Sequence, residues 1–289
     1  MAVIEVTFDP FLRLGDLAIA WRTVGVAGAI LAALLLAAAL AGRTAATDRS
    51  RADPSADHAP QAIGLRRDDL LFVAIGIIPG AVLGGRWVHG LAFLEHYQLD
   101  PLALFDPARG SLSLLGAVLG GTASGAYVAT LLDGVFRRWA WVAAAPLLLA
   151  IGLGKLAQLL AGAGQGLAFD GPWAVAFLGT GPWLAPSPEA AAHPSQAYEG
   201  LWALVGVLVV LAVGRGRGGT VGGWLLGFAL GWWLVGRFLA AFTWRDDQVV
   251  GPLNAEQVGA LVTLILLLAA ALLRGLLSAR RSPTPTPVA

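Results

Sequence analysis

Residues 24–42 read VGVAGAILAALLLAAALAG, a run of 19 residues in which no side chain is charged or polar. An α-helix of about 20 apolar residues is long enough to cross the hydrocarbon core of a bilayer. The run is continuous rather than alternating, which favours a helix over a strand of a membrane barrel. It therefore predicts a first transmembrane helix, which we place at residues 18–42.

Apolar runs of similar length recur along the rest of the chain. The predicted spans are 18–42, 70–92, 111–133, 139–161, 198–214, 220–243 and 255–278. Composition agrees with them, because only 13% of the residues are charged, whereas a soluble domain has about 25%. The sequence thus predicts an all-α integral membrane fold of about seven transmembrane helices, forming one polytopic membrane domain over residues 1–281.

Three other segments differ in composition from the spans. Residues 43–69 are rich in Ala, Asp, Arg and Pro and are predicted to form a flexible cytoplasmic loop within the domain. The Pro-rich tail, residues 282–289, is predicted to be disordered. The longest connection on the opposite side, residues 162–197, contains Trp173 and Trp183, which suit the level of the lipid headgroups.

Basic residues are distributed unevenly between the two sides of this topology. Twelve arginines lie in residues 43–69, 134–138 and 215–219 and near the C-terminus, whereas the opposite side has only Arg13, Arg109 and Arg245. Connections rich in Lys and Arg remain in the cytoplasm. We therefore expect the N-terminus outside and the C-terminus in the cytoplasm.

Small residues recur at every fourth position in three of the predicted spans. On a helix this spacing places them on one face, where a neighbouring backbone can approach closely. We interpret the rows as helix-packing surfaces: Gly76/Gly80/Gly84, Gly116/Gly120 and Gly223/Gly227/Gly231.

Besides the arginines already counted for the two sides, four basic residues fall inside the predicted spans: Arg22, Arg86, Lys155 and Arg237. The topology places all four in the outer half of the bilayer, where an unpaired charge is costly. Glu199 is the only acidic residue expected among them, so an anion such as a lipid phosphate is predicted to complete the site. The alternative is that each side chain extends separately to the interface.

A dense polar cluster, His193-Pro-Ser-Gln-Ala-Tyr-Glu199, opens the fifth span. Pro194 suits a first helical turn, and Ser195 and Glu199 would then share one helix face. A simple N-capping segment could also contain Ser and Glu. It would not explain His, Gln and Tyr in the same few residues, so we predict a functional site here.

Other chemistries are not indicated. The chain has no cysteine, and hence no disulfide, thiolate metal site or cysteine nucleophile of its own. Its net charge of +1 gives no indication of nucleic-acid binding. No Ser/His/Asp order, metal-ligand spacing or glycine-rich phosphate loop stands out.

Five segments together resemble the prolipoprotein diacylglyceryl transferase family of bacterial membranes. The most specific similarity is that of His193–Glu199 to the family's H-P-S/T-Q-x-Y-E segment. The others are Gly84-Gly85-Arg86 with G-(A/G)-R, Gly236-Arg237-Phe238 with G-R-F, Gly110–Gly120 with G-G-x-S-x-H-G-G, and Gly154-Lys155-Leu-Ala-Gln158 with the signature G-R-x-G-N-x-x-N. Their order runs through nearly the whole chain, and the family's seven spans and outside N-terminus agree with the topology predicted above.

The sequence also departs from that family pattern. The signature arginine, its two asparagines, the acidic residue after them, the third-span histidine and a first-span tyrosine are here Lys155, Gln158, Ala161, Ala163, Leu115 and Arg22. Lysine keeps the positive charge of arginine but loses its planar fork of donors. The cations therefore remain, while polar residues around the signature segment have been replaced.

The resemblance implies an enzyme of lipoprotein maturation in the bacterial cytoplasmic (inner) membrane. Its reaction would move a diacylglyceryl group from phosphatidylglycerol to the lipobox cysteine thiol of a prolipoprotein signal peptide, with no cofactor or metal. The expected catalytic residues are His193, Glu199 and Arg237. The expected headgroup-binding residues are Arg86, Lys155, Gln158, Arg22, Ser195, Gln196 and Tyr198. His193 or Glu199 would help to deprotonate the thiol or position the lipid.

Two alternatives remain at this point. The departures at Leu115, Ala161 and Ala163 would also suit a catalytically altered relative that binds anionic phospholipid or uses another acceptor. A transporter would instead need polar residues near the bilayer midplane or along a continuous path. The absence of an evident internal repeat and the confinement of the charges to the outer half both argue against a transporter.

Overall fold

The computed structural model describes residues 3–51, 65, 67–104, 112–132, 136–215 and 222–281. Seven helices in these ranges are long and apolar enough to cross a membrane. The helices are α1 (Trp21–Arg51), α2 (Arg67–Ala92), α3 (Leu94–Leu99), α4 (Leu114–Leu131), α5 (Phe136–Leu159), α6 (Ser195–Gly214), α7 (Gly222–Ala240) and α8 (Ala255–Arg281). All but the short α3 correspond to a predicted span, to within a few residues except at the C-terminal end of α1, and this confirms the predicted membrane fold.

The predicted connections overlap the structure only in part. Helix α1 continues to Arg51, so the first residues of the segment predicted as a loop, 43–69, are helical. Residues 52–64 and the tail 282–289 lie outside the described residues. The side of the membrane that each terminus faces stays a prediction from the charge count.

Short strands, which the sequence did not predict, join the helices at one end of the bundle. They are β1 (Ile4–Val6), β2 (Phe11–Leu14), β3 (Leu17–Ala20), β4 (Val175–Phe177), β5 (Gln248–Val250) and β6 (Leu253–Asn254). Strand β1 pairs in parallel with the distant β4, whereas β2–β3 and β5–β6 are antiparallel hairpins. Gly15 and Gly251 occupy the turns of these hairpins with positive φ, a conformation that favours glycine. We call this end, which corresponds to the predicted outer side, the outer end.

Helices α2 and α4 pack with their backbones almost in contact. A Cβ at Gly84 would lie 2.9 Å from Gly120 Cα, and still closer to the Gly116 carbonyl oxygen. No real side chain fits such a gap, so the glycine rows on these two helices are packing surfaces, as predicted.

The third predicted row, on α7, is different. A Cβ at Gly227 or Gly231 would meet no atom of the described residues within 4 Å. The prediction that these two glycines pack against another helix was therefore wrong, because no helix in the described part of the chain lies close to the face that carries them. Helix α7 instead packs on α6 through Trp202 and Trp232, whose rings stack and whose indole N–H groups each donate to the other's backbone carbonyl at 2.7 and 2.9 Å.

Helix α5 lies at the centre of the bundle and packs against α1, α6 and α7. Its inward residues, such as Val142, Ala144 and Leu148, are essentially inaccessible to solvent. Helix α8 is peripheral: beyond Ala260 its side chains are mostly exposed, as expected for a face that lipid covers. Because α5 packs against α6 and α7, polar residues of these three helices near the outer end can face one another, away from lipid.

Candidate active site

Three charged side chains, one from each of three helices, contact one another in the interior of the bundle. The Lys155 ammonium on α5 lies 2.8 Å from Glu199 Oε2 on α6, and the Arg237 guanidinium on α7 lies 2.9 Å from Glu199 Oε1. All three side chains are buried, Glu199 completely. The structure thus brings together three of the residues that the sequence indicated.

Glu199 is held by more than its two ion pairs. The indole N–H of Trp233 donates to Glu199 Oε1 at 3.0 Å. A buried carboxylate is tolerated only when its oxygens are paired and hydrogen-bonded. Both oxygens of Glu199 meet this condition, so its charge can be kept inside the membrane domain.

A second carboxylate belongs to the same cluster and was missed in the sequence. Glu256, in the first turn of α8, accepts from Arg237 at 3.0 Å (Nη2) and 3.3 Å (Nε). The Ser113 hydroxyl, which precedes α4, donates to its other oxygen at 2.9 Å. We call Lys155, Glu199, Arg237 and Glu256 the ionic centre.

The ionic centre corrects the charge argument made from the sequence. Glu199 was expected to be the only acidic residue among the cations, but Glu256 also pairs with Arg237. Two cations and two carboxylates balance formally, so an external anion is not needed to neutralise them. The sequence did contain one indication of Glu256. The seventh predicted span begins at residue 255, at the same end of the bundle as the motif residues, so an acidic side chain at its start could have been expected near them.

The first turn of α8 is fixed by a reciprocal cap. Gln257 N donates to Asn254 Oδ1 at 2.9 Å, and Asn254 N donates to Gln257 Oε1 at 3.0 Å. The two side chains also donate to the carbonyls of Ala241 and Phe238 at the end of α7. This capping box ties α8 to α7 and sets the position of Glu256 beside Arg237.

Aromatic rings surround the cations. The Trp244 ring centroid lies 4.8 Å from Arg237 Cζ and 5.5 Å from Lys155 Nζ, and the Trp233 centroid lies 5.6 Å from Arg237 Cζ. Ring faces attract cations at these distances. Trp244 was also missed in the sequence, because it follows α7 in an irregular segment with no motif around it.

Gln196 supports Lys155 from the start of α6. Its Oε1 accepts from Lys155 Nζ at 3.4 Å. The Gln196 amide packs directly on Gly164, where any Cβ would collide with it, and Gly164 has a φ of +71°. Gly164 is thus required both by its backbone conformation and by the position of Gln196.

His193 and Tyr198 belong to an aromatic group at the start of α6. His193 Nδ1 lies 3.0 Å from the Tyr198 hydroxyl, which accepts from the Trp173 indole at 2.7 Å, and the imidazole stacks on Phe169. Burial lowers the pKa of His193 below its ordinary value, so the neutral imidazole is favoured.

Ser195 lies at the base of this group and joins it to the segment after α7. Its hydroxyl is fully buried and pairs with the Thr243 hydroxyl at 2.7 Å. Arg245, two residues further along the chain, donates to the Gly166 carbonyl at 2.6 Å and to Gln165 Oε1 at 3.2 Å. The segment that contains Trp244 is therefore held on both sides.

The remaining predicted residues lie outside the ionic centre. Arg86 is buried in α2, and Arg22 is exposed at the start of α1. Gln158 is partly buried in the last turn of α5, where its carbonyl accepts from Ala161 N and Ala163 N. A headgroup-binding role for these three side chains stays a prediction.

One departure from the family pattern has a clear packing explanation. Leu115, where the resemblance implies histidine, is buried on α4 and faces Gly259 of α8. A Cβ at Gly259 would lie 2.6 Å from Leu115 Cδ2, so the leucine fills the space next to a glycine.

Among the described residues, no group of three or more His, Asp and Glu could hold a metal ion.

The fold and the site define a multi-pass membrane protein with an ionic centre buried near one end of its helix bundle. The family model for prolipoprotein diacylglyceryl transferase matches residues 10–274, which is most of the chain. The chain belongs to this family and is a transferase, which sets aside the transporter alternative.

Individual relatives agree with the family match. A phosphatidylglycerol–prolipoprotein diacylglyceryl transferase of Geobacter sulfurreducens is 31% identical over 210 residues, covering 72% of each chain. The transferase of the same name in Clostridioides difficile is 25% identical, covering 70% of this chain and 77% of the relative. That of Acaryochloris marina is 27% identical over 256 residues, covering 86% and 84%.

Proposed function

We propose that the protein transfers an sn-1,2-diacylglyceryl group from phosphatidylglycerol to the lipobox cysteine of prolipoprotein signal peptides, in the bacterial cytoplasmic membrane. One observation carries the proposal. Lys155, Glu199 and Arg237, which come from three separate family-like segments, meet in a single buried cluster. The relatives named above carry this activity in their names.

The reaction replaces a carbon–oxygen bond with a carbon–sulfur bond. The substrate thiol loses its proton, and the sulfur attacks the diacylglyceryl carbon that bears the phosphate. The bond from that carbon to the phosphate oxygen breaks, and glycerol phosphate leaves with the electron pair. The nucleophile belongs to the substrate, so the absence of cysteine in the chain is compatible with the reaction.

Arg237 and Lys155 have the charge that this leaving group needs. Negative charge develops on the phosphate as the bond breaks, and fixed cations in a water-poor site stabilise it strongly. Glu199, with both oxygens bound to donors, suits the role of holding the two cations in place better than that of accepting a proton. This leaves His193, whose neutral imidazole is favoured, as the better candidate to assist the thiol.

The test is transfer in liposomes that contain phosphatidylglycerol, using a lipobox peptide and the mass gain on its cysteine. We expect a diacylglyceryl adduct from the wild type, and at least about a hundredfold slower reaction after Arg237→Ala or Lys155→Ala. Arg13→Ala is the matched control, because Arg13 lies on the surface in an exposed pair with Asp9. An adduct that both site variants form at the wild-type rate would rule out the proposed site.

The same assay addresses the catalytically altered relative. The replacements at Ala161, Ala163 and Leu115 leave apolar side chains where the family pattern has polar ones. If phosphatidylglycerol binds but no peptide adduct forms, the protein is a lipid-binding relative or uses a different acceptor. An adduct that depends on Arg237 excludes this alternative.

A further inference from the structure

The two carboxylates of the ionic centre are held unequally. The Glu199 side chain is 0% exposed and accepts from Lys155, Arg237 and Trp233, whereas that of Glu256 is 20% exposed and accepts from Arg237 and Ser113. Releasing Glu199 would leave the buried Lys155 without a carboxylate partner and Arg237 with Glu256 alone. Glu256 is therefore the carboxylate that can leave at the lower cost.

Glu256 also occupies a particular edge of Arg237. Its Oε2 accepts both from Nε and from Nη2, while Nη1 is taken by Glu199. The Nε–Nη2 edge of a guanidinium is one of the edges that bind phosphate with two parallel hydrogen bonds. The Glu256 carboxylate thus lies where a phosphate oxygen would bind.

We propose that Glu256 is an exchangeable counter-ion, which the phosphodiester of the bound lipid displaces from Arg237. In the empty site, Glu256 neutralises Arg237. When the lipid enters, the phosphate takes the Nε–Nη2 edge, and the Glu256 carboxylate turns away while Ser113 still binds its Oε1. Arg237 remains attached to Glu199 throughout, so the guanidinium does not move. This inference rests on the proposed function.

The surroundings of Glu256 favour such an exchange. Glu256 lies in the first turn of the peripheral helix α8, where the capping box fixes the backbone while leaving the carboxylate partly exposed. Trp244, which is half-buried, lies against Arg237 and Lys155. Because the resident pairs already neutralise the cations, a phosphate must compete with Glu256 for Arg237, and the competition sets lipid affinity.

The experiment compares wild type with Glu256→Gln in phosphatidylglycerol vesicles. Glutamine keeps the size of the side chain and can accept from Ser113, but no longer competes as an anion. We expect the KM for phosphatidylglycerol to fall about threefold or more, because the lipid phosphate no longer competes with a resident carboxylate. Glu189→Gln is the matched control, since Glu189 is an exposed carboxylate in the outer connection.

Binding measured by tryptophan fluorescence, without peptide, separates this inference from the proposed function. Reconstituted in phosphatidylcholine vesicles, Glu256→Gln should bind added phosphatidylglycerol more tightly than the wild type even if no transfer occurs. Phosphatidylcholine vesicles with inorganic phosphate distinguish free phosphate from the lipid as the ligand. An unchanged or higher KM with unchanged or weaker binding would overturn the inference and leave Glu256 as a fixed support of Arg237.

Discussion

Glu199 is the residue on which the other charges of the ionic centre depend. It pairs with Lys155 and Arg237 at 2.8 and 2.9 Å and is completely buried. A buried cation without its counter-ion is far more costly than an ordinary lost contact. The identity of this one side chain therefore affects both the stability of the protein and the orientation of the two cations.

Replacing Glu199 by glutamine should show this dependence. Glutamine nearly preserves the shape but leaves one positive charge uncompensated, so we expect the free energy of unfolding to fall by about 3–5 kcal/mol. The measurement is unfolding in mixed micelles, followed by circular dichroism. Glu189→Gln makes the same change at an exposed site and should have no effect. Equal stability of the two variants would contradict the role given to Glu199.

At the scale of elements, the contact between α2 and α4 depends on the absence of side chains. Gly84 packs so closely against α4 that a methyl group would collide with the backbone of Gly116 and Gly120. The same spacing on α7 has no such consequence, since no atom in the described ranges lies within 4 Å of a Cβ placed at Gly227. Spacing alone does not distinguish the two cases.

The two glycines therefore provide a matched pair of substitutions. Gly84→Ala should lower the free energy of unfolding by about 1–3 kcal/mol, because α2 and α4 must separate. Gly227→Ala adds the same methyl group without a clash and should be neutral or stabilising by up to about 1 kcal/mol, through helix propensity. Thermal unfolding in detergent measures both. Equal losses would mean that Gly227 also lies at a close interface.

At the scale of the whole molecule, the odd number of membrane-spanning helices found among the described residues predicts that the N- and C-termini lie on opposite sides of the membrane. Which terminus is outside follows only from the distribution of arginine. The arginine count therefore predicts that the ionic centre lies near the outer surface, where prolipoprotein substrates would reach it.

The lack of cysteine in the chain makes this orientation directly measurable. Asp170→Cys lies in the outer connection, and Ser278→Cys lies at the opposite end of α8. In intact cells a membrane-impermeant maleimide should label the cysteine at 170 and leave that at 278 unlabelled. Permeabilised cells provide the control, in which both should react. The reverse pattern would invert the topology.

The sequence by itself determined the spans, because a helix long and apolar enough to cross a bilayer is specified by consecutive residues. It also indicated Lys155, Glu199 and Arg237, through segments that resemble the family. Each of these signals is local, so no knowledge of the folded chain was needed to recognise them.

Only the tertiary structure decided how the charges are paired. Glu256 pairs with Arg237, 19 positions away in sequence, and accepts a hydrogen bond from Ser113, 143 positions away. Strand β1 pairs with β4, and four spans separate these two strands in the sequence. Such contacts depend on which helices pack together, and that follows from the summed fit of many apolar side chains. The physical reason is that hydrophobic length is a property of one segment, whereas a buried ion pair is a property of two segments that the fold brings together.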